Sequence, residues 1–234
     1  MQKNKVDALT NFFRSSWSVY DTIIQRNYMF HREIEQAIRE VVGARSVLGP
    51  YSLLDLGCGN TRGLARTLRQ FPPVRYLGID MSSAALAEAS HELAALPDVE
   101  LREQDMVQCV TQLAVGSFDL IYSGFALHHF STSEKAQLIQ TIGAVRSPGG
   151  EFLLVDVVRE TEETREHYLE GYIKMIETQW TDLGAEGIDQ IRQHVRLYDY
   201  PETGEELAAM VSAAGFTEMR LLARHRQHQV LLCS

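Results

Sequence analysis

The segment Asp55-Leu-Gly57-Cys-Gly59-Asn-Thr-Arg-Gly63 sets glycines and a carboxylate where a strand gives way to a helix. The apolar run Tyr51-Ser-Leu-Leu precedes it and a helical pattern follows it. Glycine tolerates positive φ and carries no Cβ, so backbone can lie directly against a ligand at the helix N-terminus. That spacing predicts a nucleotide-like cofactor. The dinucleotide fingerprint G-x-G-x-x-G brings its third glycine one residue earlier than this chain does, so the surrounding carboxylates have to decide which cofactor it is.

A second strand pattern, Val74-Arg-Tyr-Leu-Gly-Ile79, ends in Asp80, about 20 residues past the glycine turn, where a carboxylate can accept from both ribose hydroxyls. That placement suits NAD equally well. A third pattern, Val99-Glu-Leu-Arg-Glu-Gln104, ends in Asp105-Met106. A carboxylate there has no duty toward a dinucleotide, but it can accept from the exocyclic amine of an adenine, with Met81 and Met106 as apolar flanks for the ring.

Three acidic strand ends in series resemble the class I S-adenosylmethionine-dependent methyltransferases. Phe118-Asp-Leu-Ile-Tyr-Ser-Gly-Phe-Ala-Leu-His128-His129-Phe is similar to that family's fourth-strand motif. Ser147-Pro-Gly-Gly150 with Glu151-Phe-Leu-Leu-Val-Asp156 is similar to its turn and fifth strand, and Ala213-Ala-Gly215-Phe216 to its last helix end. The resemblance covers roughly residues 50 to 157 and 200 to 234. It implies an α/β, Rossmann-like fold: a seven-stranded, mostly parallel sheet with an antiparallel C-terminal strand. It also implies S-adenosyl-L-methionine as cofactor, with Gly57 and Gly59 beneath it, Asp55 fixing the turn and attracting the ammonium group, Asp80 on the ribose and Asp105 on the adenine. Ser123 stands at the fourth strand end beside the cofactor. An N-terminal cap in such relatives often contacts the methionine end, which makes Tyr20, Tyr28 and Arg32 candidates there.

A sulfonium methyl is already electrophilic, so such an enzyme must mainly align the acceptor, exclude water and, where needed, remove a proton. After the fourth strand the chain reads Ser123-Gly-Phe-Ala, neither the Asn/Asp-Pro-Pro-aromatic signature of amino-group methylation nor a Pro-Cys nucleophile. The metal-dependent catechol type would place a carboxylate at Ser123, so no metal is expected. What remains is a small oxygen, nitrogen or carbon nucleophile. His128, His129 and His194 are the candidate bases, because imidazole titrates near neutrality. In relatives the Leu-His-His segment mostly shapes the cofactor cleft, so the pair also has a purely architectural reading. A non-catalytic cofactor-binding scaffold is the alternative of a different class. An NAD(P) oxidoreductase is more distant, given the glycine spacing and the lack of a Tyr-x-x-x-Lys pair.

The remaining elements must position these residues. Phe13, Trp17, Tyr20 and Ile24 fall on one helical stripe and Ile34, Ile38 and Val41 on another, with Gly43 as the expected stop. Residues 1–50 thus read as a helical cap, although Trp17 and Tyr20 also suit plain core filling. Residues 51–157 form the cofactor-binding core, since strands and helices alternate there. Between them and the C-terminal helix and strand pair of residues 200–234, the alternation fails. Leu169, Tyr172, Ile173, Ile176 and Trp180 form one helical stripe, and Ile188, Ile191 and Val195 another. Residues 158–199 are therefore expected to be a helical insertion after the fifth strand, acting as an acceptor lid with Tyr172, Trp180 and Tyr198 as substrate contacts.

The formal net charge of −9 disfavours nucleic acid as partner and favours a small-molecule acceptor. The three cysteines lack metal-ligand spacing, and no apolar run approaches the ~20 residues that span a bilayer. The start, Met-Gln-Lys-Asn-Lys, carries no apolar signal region, so the expected location is the cytoplasm, away from membranes.

Overall fold

The computed structural model describes residues 17–234. Of the first expected stripe, Phe13 lies outside the described residues, as does the side chain of Trp17. Two helices lead into the sheet, α1 (Trp17–Gln25) and α2 (His31–Val47). The second buries Ile34, Ile38 and Val41 as the periodicity requires. It does not stop at Gly43. That glycine keeps helical geometry, and the ring of Phe71 would lie 3.3 Å from a Cβ there, so it serves close packing. The chain leaves the helix at Gly49, whose φ is +129°.

Alternation then builds β1 (Ser52–Leu56), α3 (Arg62–Gln70), β2 (Arg75–Asp80), α4 (Ser83–Glu92), β3 (Val99–Glu103), α5 (Met106–Val110), β4 (Phe118–Gly124), α6 (Thr132–Val145) and β5 (Arg146–Arg159). Helices α7 (Arg165–Gln179) and α8 (Gly184–Tyr198) follow, then β6 (Glu202–Thr203), α9 (Gly204–Ala213), β7 (Met219–His225) and β8 (His228–Cys233). The sheet order is β3-β2-β1-β4-β5-β8-β7, and β8 runs antiparallel to both neighbours. To the seven expected strands the fold adds β6, whose Glu202 and Thr203 pair with Val158 and Arg159 at the far end of β5.

Side chains alternate across β1, so its two faces feed two cores. Leu54 and Leu56 join Ile139 and Ile142 of α6 and Leu207 of α9 on one side. Leu53 joins Ile38 of α2 and Leu68 of α3 on the other. Because strand order reverses between β1 and β4, the chain leaves these neighbours in opposite directions and opens a crevice at their carboxyl ends. A third core unites α1 with the insertion: Ile23 and Met29 pack with Tyr172, Ile176, Trp180 and Ile191. Ser131 with Glu134 opens α6, and Thr203 with Glu206 opens α9, each as a complete capping box. No helix among the described residues is long and apolar enough to cross a membrane.

The α6–α9 contact yields a test. A Cβ at Gly143 would lie 2.2 Å from the backbone oxygen of Ala214. Alanine in a helix interior ordinarily gains up to about 1 kcal/mol over glycine, but here the clash reverses the sign. Gly143→Ala should lose roughly 1–3 kcal/mol in urea unfolding. A gain in stability would show that α9 can shift freely.

Candidate active site

The glycine turn sits at the crevice. Gly57 and Gly59 have φ of +72° and +53°, and a Cβ on Gly57 would lie 2.7 Å from that of Ala126. Only glycine fits that passage. The amides of Gly57 and Cys58 both donate to the carbonyl of Ile79, at 2.9 and 3.0 Å. Asp80, at the end of β2, fixes the turn further: one carboxylate oxygen accepts from Gly59 N and the other from Ser82 N, each at 2.8 Å. Asp105 caps α5 by accepting from Gln108 N at 3.1 Å.

These residues line a cavity of about 290 Å³, together with Met81, Met106 and Tyr20. Among the described residues its acidic lining is Asp21, Asp80 and Asp105, and neither lysine nor arginine lines it. Asp55 lies below the cavity, 1% exposed, and accepts from Tyr76 Oη at 2.6 Å. Burial pushes its carboxyl up to about 7, against the Tyr76 bond and with help from the nearby charge of Asp80. Burial also raises the carboxyl of Asp80. Ser123 lies beneath the cavity as well, donating from Oγ to Leu56 O at 3.0 Å and tying β4 to β1.

A smaller compartment of about 50 Å³ adjoins the cavity and shares Tyr20, Phe125 and His129 with it. Tyr172 and Trp180 supply its aromatic wall, and His128, His194 and Asp199 its polar end. Burial, followed by the charge of Asp199, pushes the Tyr20 hydroxyl up to about 12. Asp156, at the inner part of β5, accepts from His128 N at 2.9 Å with one oxygen and engages His128 Nδ1 with the other. Asp199 follows α8, and Tyr200 N donates to His128 O at 2.7 Å, which brings the end of the insertion onto the fourth-strand loop. His129 Nδ1 lies 3.3 Å from the carbonyl of Tyr198, whose ring is 5.4 Å from that of His194. Burial and the neighbouring His128 lower the His194 imidazole to about 3, while burial raises Asp199 to about 7.

Two expected cap contacts are placed elsewhere. Tyr28 stacks on Trp180 at 5.3 Å and donates to Asp182 at 2.6 Å, because the aromatic ring completes the insertion's core. Arg32 donates to the carbonyl of Gln25 on the exposed side of α2. Tyr20 alone of the three lines the cavity, and His31 joins it there. Tyr198 meets the site through its carbonyl, with its side chain off the compartment lining. Sequence reasoning missed Asp156 and Asp199. The first was readable as one more acidic strand end, whereas the second carried no motif.

Residues 53–150 match the methyltransferase domain family. The trans-aconitate 2-methyltransferase of Deinococcus radiodurans is 34% identical over 102 residues, 43% of this chain and 36% of that protein. The match thus spans little more than a third of that relative. Carboxy-S-adenosyl-L-methionine synthase of Campylobacter hominis is 21% identical over 98% of this chain and 96% of its own. The magnesium protoporphyrin IX methyltransferase of Synechocystis PCC 6803, solved with bound S-adenosylhomocysteine, shares the fold with a TM-score of 0.67 at 14% identity. It covers 97% of this chain and 98% of that one. Residues 53–150 are thus similar to methyltransferase domains, and the chain shares the fold of a methyltransferase solved with S-adenosylhomocysteine.

Asp55 supplies a pH test. Its folded pKa of about 7 lies above the ~3.9 of an unfolded aspartate. The stability this group contributes is therefore fully present below about pH 4 and is lost as pH rises through 7. Without cofactor, Asp55→Asn should gain on the wild type by up to about 1.4 kcal/mol per pH unit across that window. Urea unfolding at pH 5 and pH 8 checks it, and a pH-independent difference would refute the buried-acid assignment.

Proposed function

We propose that this protein moves the methyl group of S-adenosyl-L-methionine to an oxygen, nitrogen or carbon nucleophile of a small molecule by in-line displacement. The observation that carries this reading is the lining of the larger cavity, which among the described residues includes Asp21, Asp80 and Asp105 and no lysine or arginine. A dinucleotide would set its diphosphate against those carboxylates, whereas a sulfonium and an ammonium are attracted by them.

In this reading Gly57 and Gly59 underlie the methionine part, and Asp55, off the lining, fixes the turn through Tyr76. Asp80 takes the ribose, Asp105 the adenine amine, and Met81 and Met106 flank the ring. Ser123 braces the strand end. Residues 1–50 act as cap, 51–157 with 200–234 as core, and 158–199 as the lid. The acceptor enters the aromatic compartment against Tyr172 and Trp180, where His128, His129 and His194 orient it. The compartment's size favours a small acceptor over nucleic acid, as does the net charge of −9. The sulfonium carbon needs no metal to be electrophilic. Three free cysteines are buried among the described residues, which supports a reducing compartment such as the cytoplasm.

A second reading draws on the match to the carboxy-S-adenosyl-L-methionine synthase, which runs nearly the full length of both chains. It makes the cofactor itself the site of modification. A carboxylate grown on the methyl group would need a cationic partner, and among the described residues the linings offer imidazoles only. Methyl transfer is therefore the better fit. Mass spectrometry of the nucleoside product separates the two, since methyl transfer leaves S-adenosylhomocysteine.

Asp80→Ala should weaken S-adenosylhomocysteine binding by about 1.5–3 kcal/mol, roughly ten- to hundredfold, in calorimetry. Unchanged affinity would remove Asp80 from the site. Label from methyl-labelled cofactor should appear in a metabolite fraction, and label mainly in bulk RNA would overturn the acceptor class. Trp180→Phe, which keeps most of the packing, should impair acceptor turnover more than cofactor binding. Equal losses in both would count against a lid.

A further inference from the structure

We infer that His128, His129 and Asp199 form a binding site for a divalent first-row transition-metal ion at the polar end of the smaller compartment, with His194 within reach as a further ligand. The proposal goes beyond methyl transfer and does not rest on it.

The ligand atoms of His128, His129 and Asp199 all lie within 4.8 Å of one another. Around Asp199 Oδ1, His128 Nε2 stands at 3.7 Å, His129 Nδ1 at 3.6 Å and His194 Nε2 at 3.9 Å, and His129 Nδ1 must give up its 3.3 Å contact with the Tyr198 carbonyl to ligate. These separations are too long for hydrogen bonds. An ion that holds nitrogen and oxygen ligands at ~2.1 Å can bridge pairs up to ~4.2 Å apart. All three separations fall within that span.

A second observation concerns Asp199 itself. It is 3% exposed, and its Oδ1, the oxygen facing the imidazoles, is buried without a hydrogen-bond partner. A carboxylate oxygen left so is costly unless a cation or a donor meets it. The orientation of His128 adds to this. Its Nδ1 is engaged by Asp156, which also holds its backbone amide, so the neutral ring donates from Nδ1 and presents the Nε2 lone pair toward Asp199. His128 Nε2 and the Asp199 oxygen stand 3.7 Å apart, beyond a hydrogen bond and within the span of a bridging ion. Carboxylate behind histidine behind metal is a common outer-shell arrangement, because it fixes the tautomer and raises the basicity of the ligating nitrogen.

The donor set selects the ion. Imidazole and carboxylate without thiolate suit zinc, iron(II), cobalt or nickel, whereas calcium and magnesium prefer all-oxygen shells. The absence of a carboxylate at Ser123 bears only on the catechol-type position; these ligands come from the loop after β4 and the end of α8. All four of these residues line the compartment that Tyr172 and Trp180 also line, so an ion held by them would be open to it.

Metal-free protein prepared with a chelator would be titrated with zinc by calorimetry and with cobalt(II) by absorption. One tight equivalent is expected, with d–d bands of a cobalt site bearing nitrogen ligands. Asp199→Asn and His129→Gln should weaken zinc at least tenfold, and Asp156→Asn by roughly 10–100-fold through the outer shell. Asp199→Asn should still bind S-adenosylhomocysteine, which checks its fold independently. If that variant fails to fold, ¹⁵N-imidazole NMR of the wild type with zinc decides, since shifts confined to these histidines support the site. Absent binding, binding spread over unrelated histidines, or affinity indifferent to these variants would overturn the proposal.

Discussion

Carboxylates converge where the parallel strands end, and among the described residues no lysine or arginine of the cavity walls meets them. Asp80 receives two backbone amides, and Asp105 receives one as a helix cap. Asp55 keeps its proton up to about pH 7 and leans on Tyr76. Asp156 is joined to His128. Each means is local and each fixes a turn, so the shape of the crevice follows from the solvation of its acids. Excess negative potential is left over, and a ligand that carries positive charge is what such a crevice attracts.

Attaching the insertion to this crevice takes a buried ion pair. Lys135 of α6, 2% exposed, donates to the carbonyl of Tyr200 at 2.6 Å and to Glu202 at 3.0 Å. Tyr200 N in turn donates to His128 O. The return from α8 is thus clamped from both sides, and this backbone geometry carries Asp199 against the histidines. A buried pair adds little net stability once desolvation is counted. Its worth here is positional, because removing either partner would release the one segment that brings the insertion to the fourth-strand loop.

The sheet was legible in the residues because its signals are local. The glycine turn of residues 55–63 and the apolar runs ending in Asp80 and Asp105 each depend on a few neighbouring residues. Gly43 misled for a related reason: glycine as a helix stop and glycine as a close contact look alike until Phe71 is seen beside it. The two-residue β6 carried no pattern at all, since its pairing is dictated by where Lys135 and the β5 extension hold it.

The acceptor end was legible only in half. Leu-His-His announces itself, yet what gives those imidazoles their chemistry arrives from the far side of the insertion. Aromatic stripes explain why Tyr172 and Trp180 point inward, but the same stripe draws Tyr28 onto Trp180 and away from the cofactor. Helical periodicity says that a residue is buried and not which cavity it meets. Asp199 shows the limit most clearly. In sequence it is one acid beside Tyr198 and Tyr200 at a helix end. In space three imidazole nitrogens surround it at 3.6 to 3.9 Å. Nothing in a one-dimensional pattern encodes that distance, whereas the unpartnered oxygen in the folded chain identifies the place where an added positive charge would gain most.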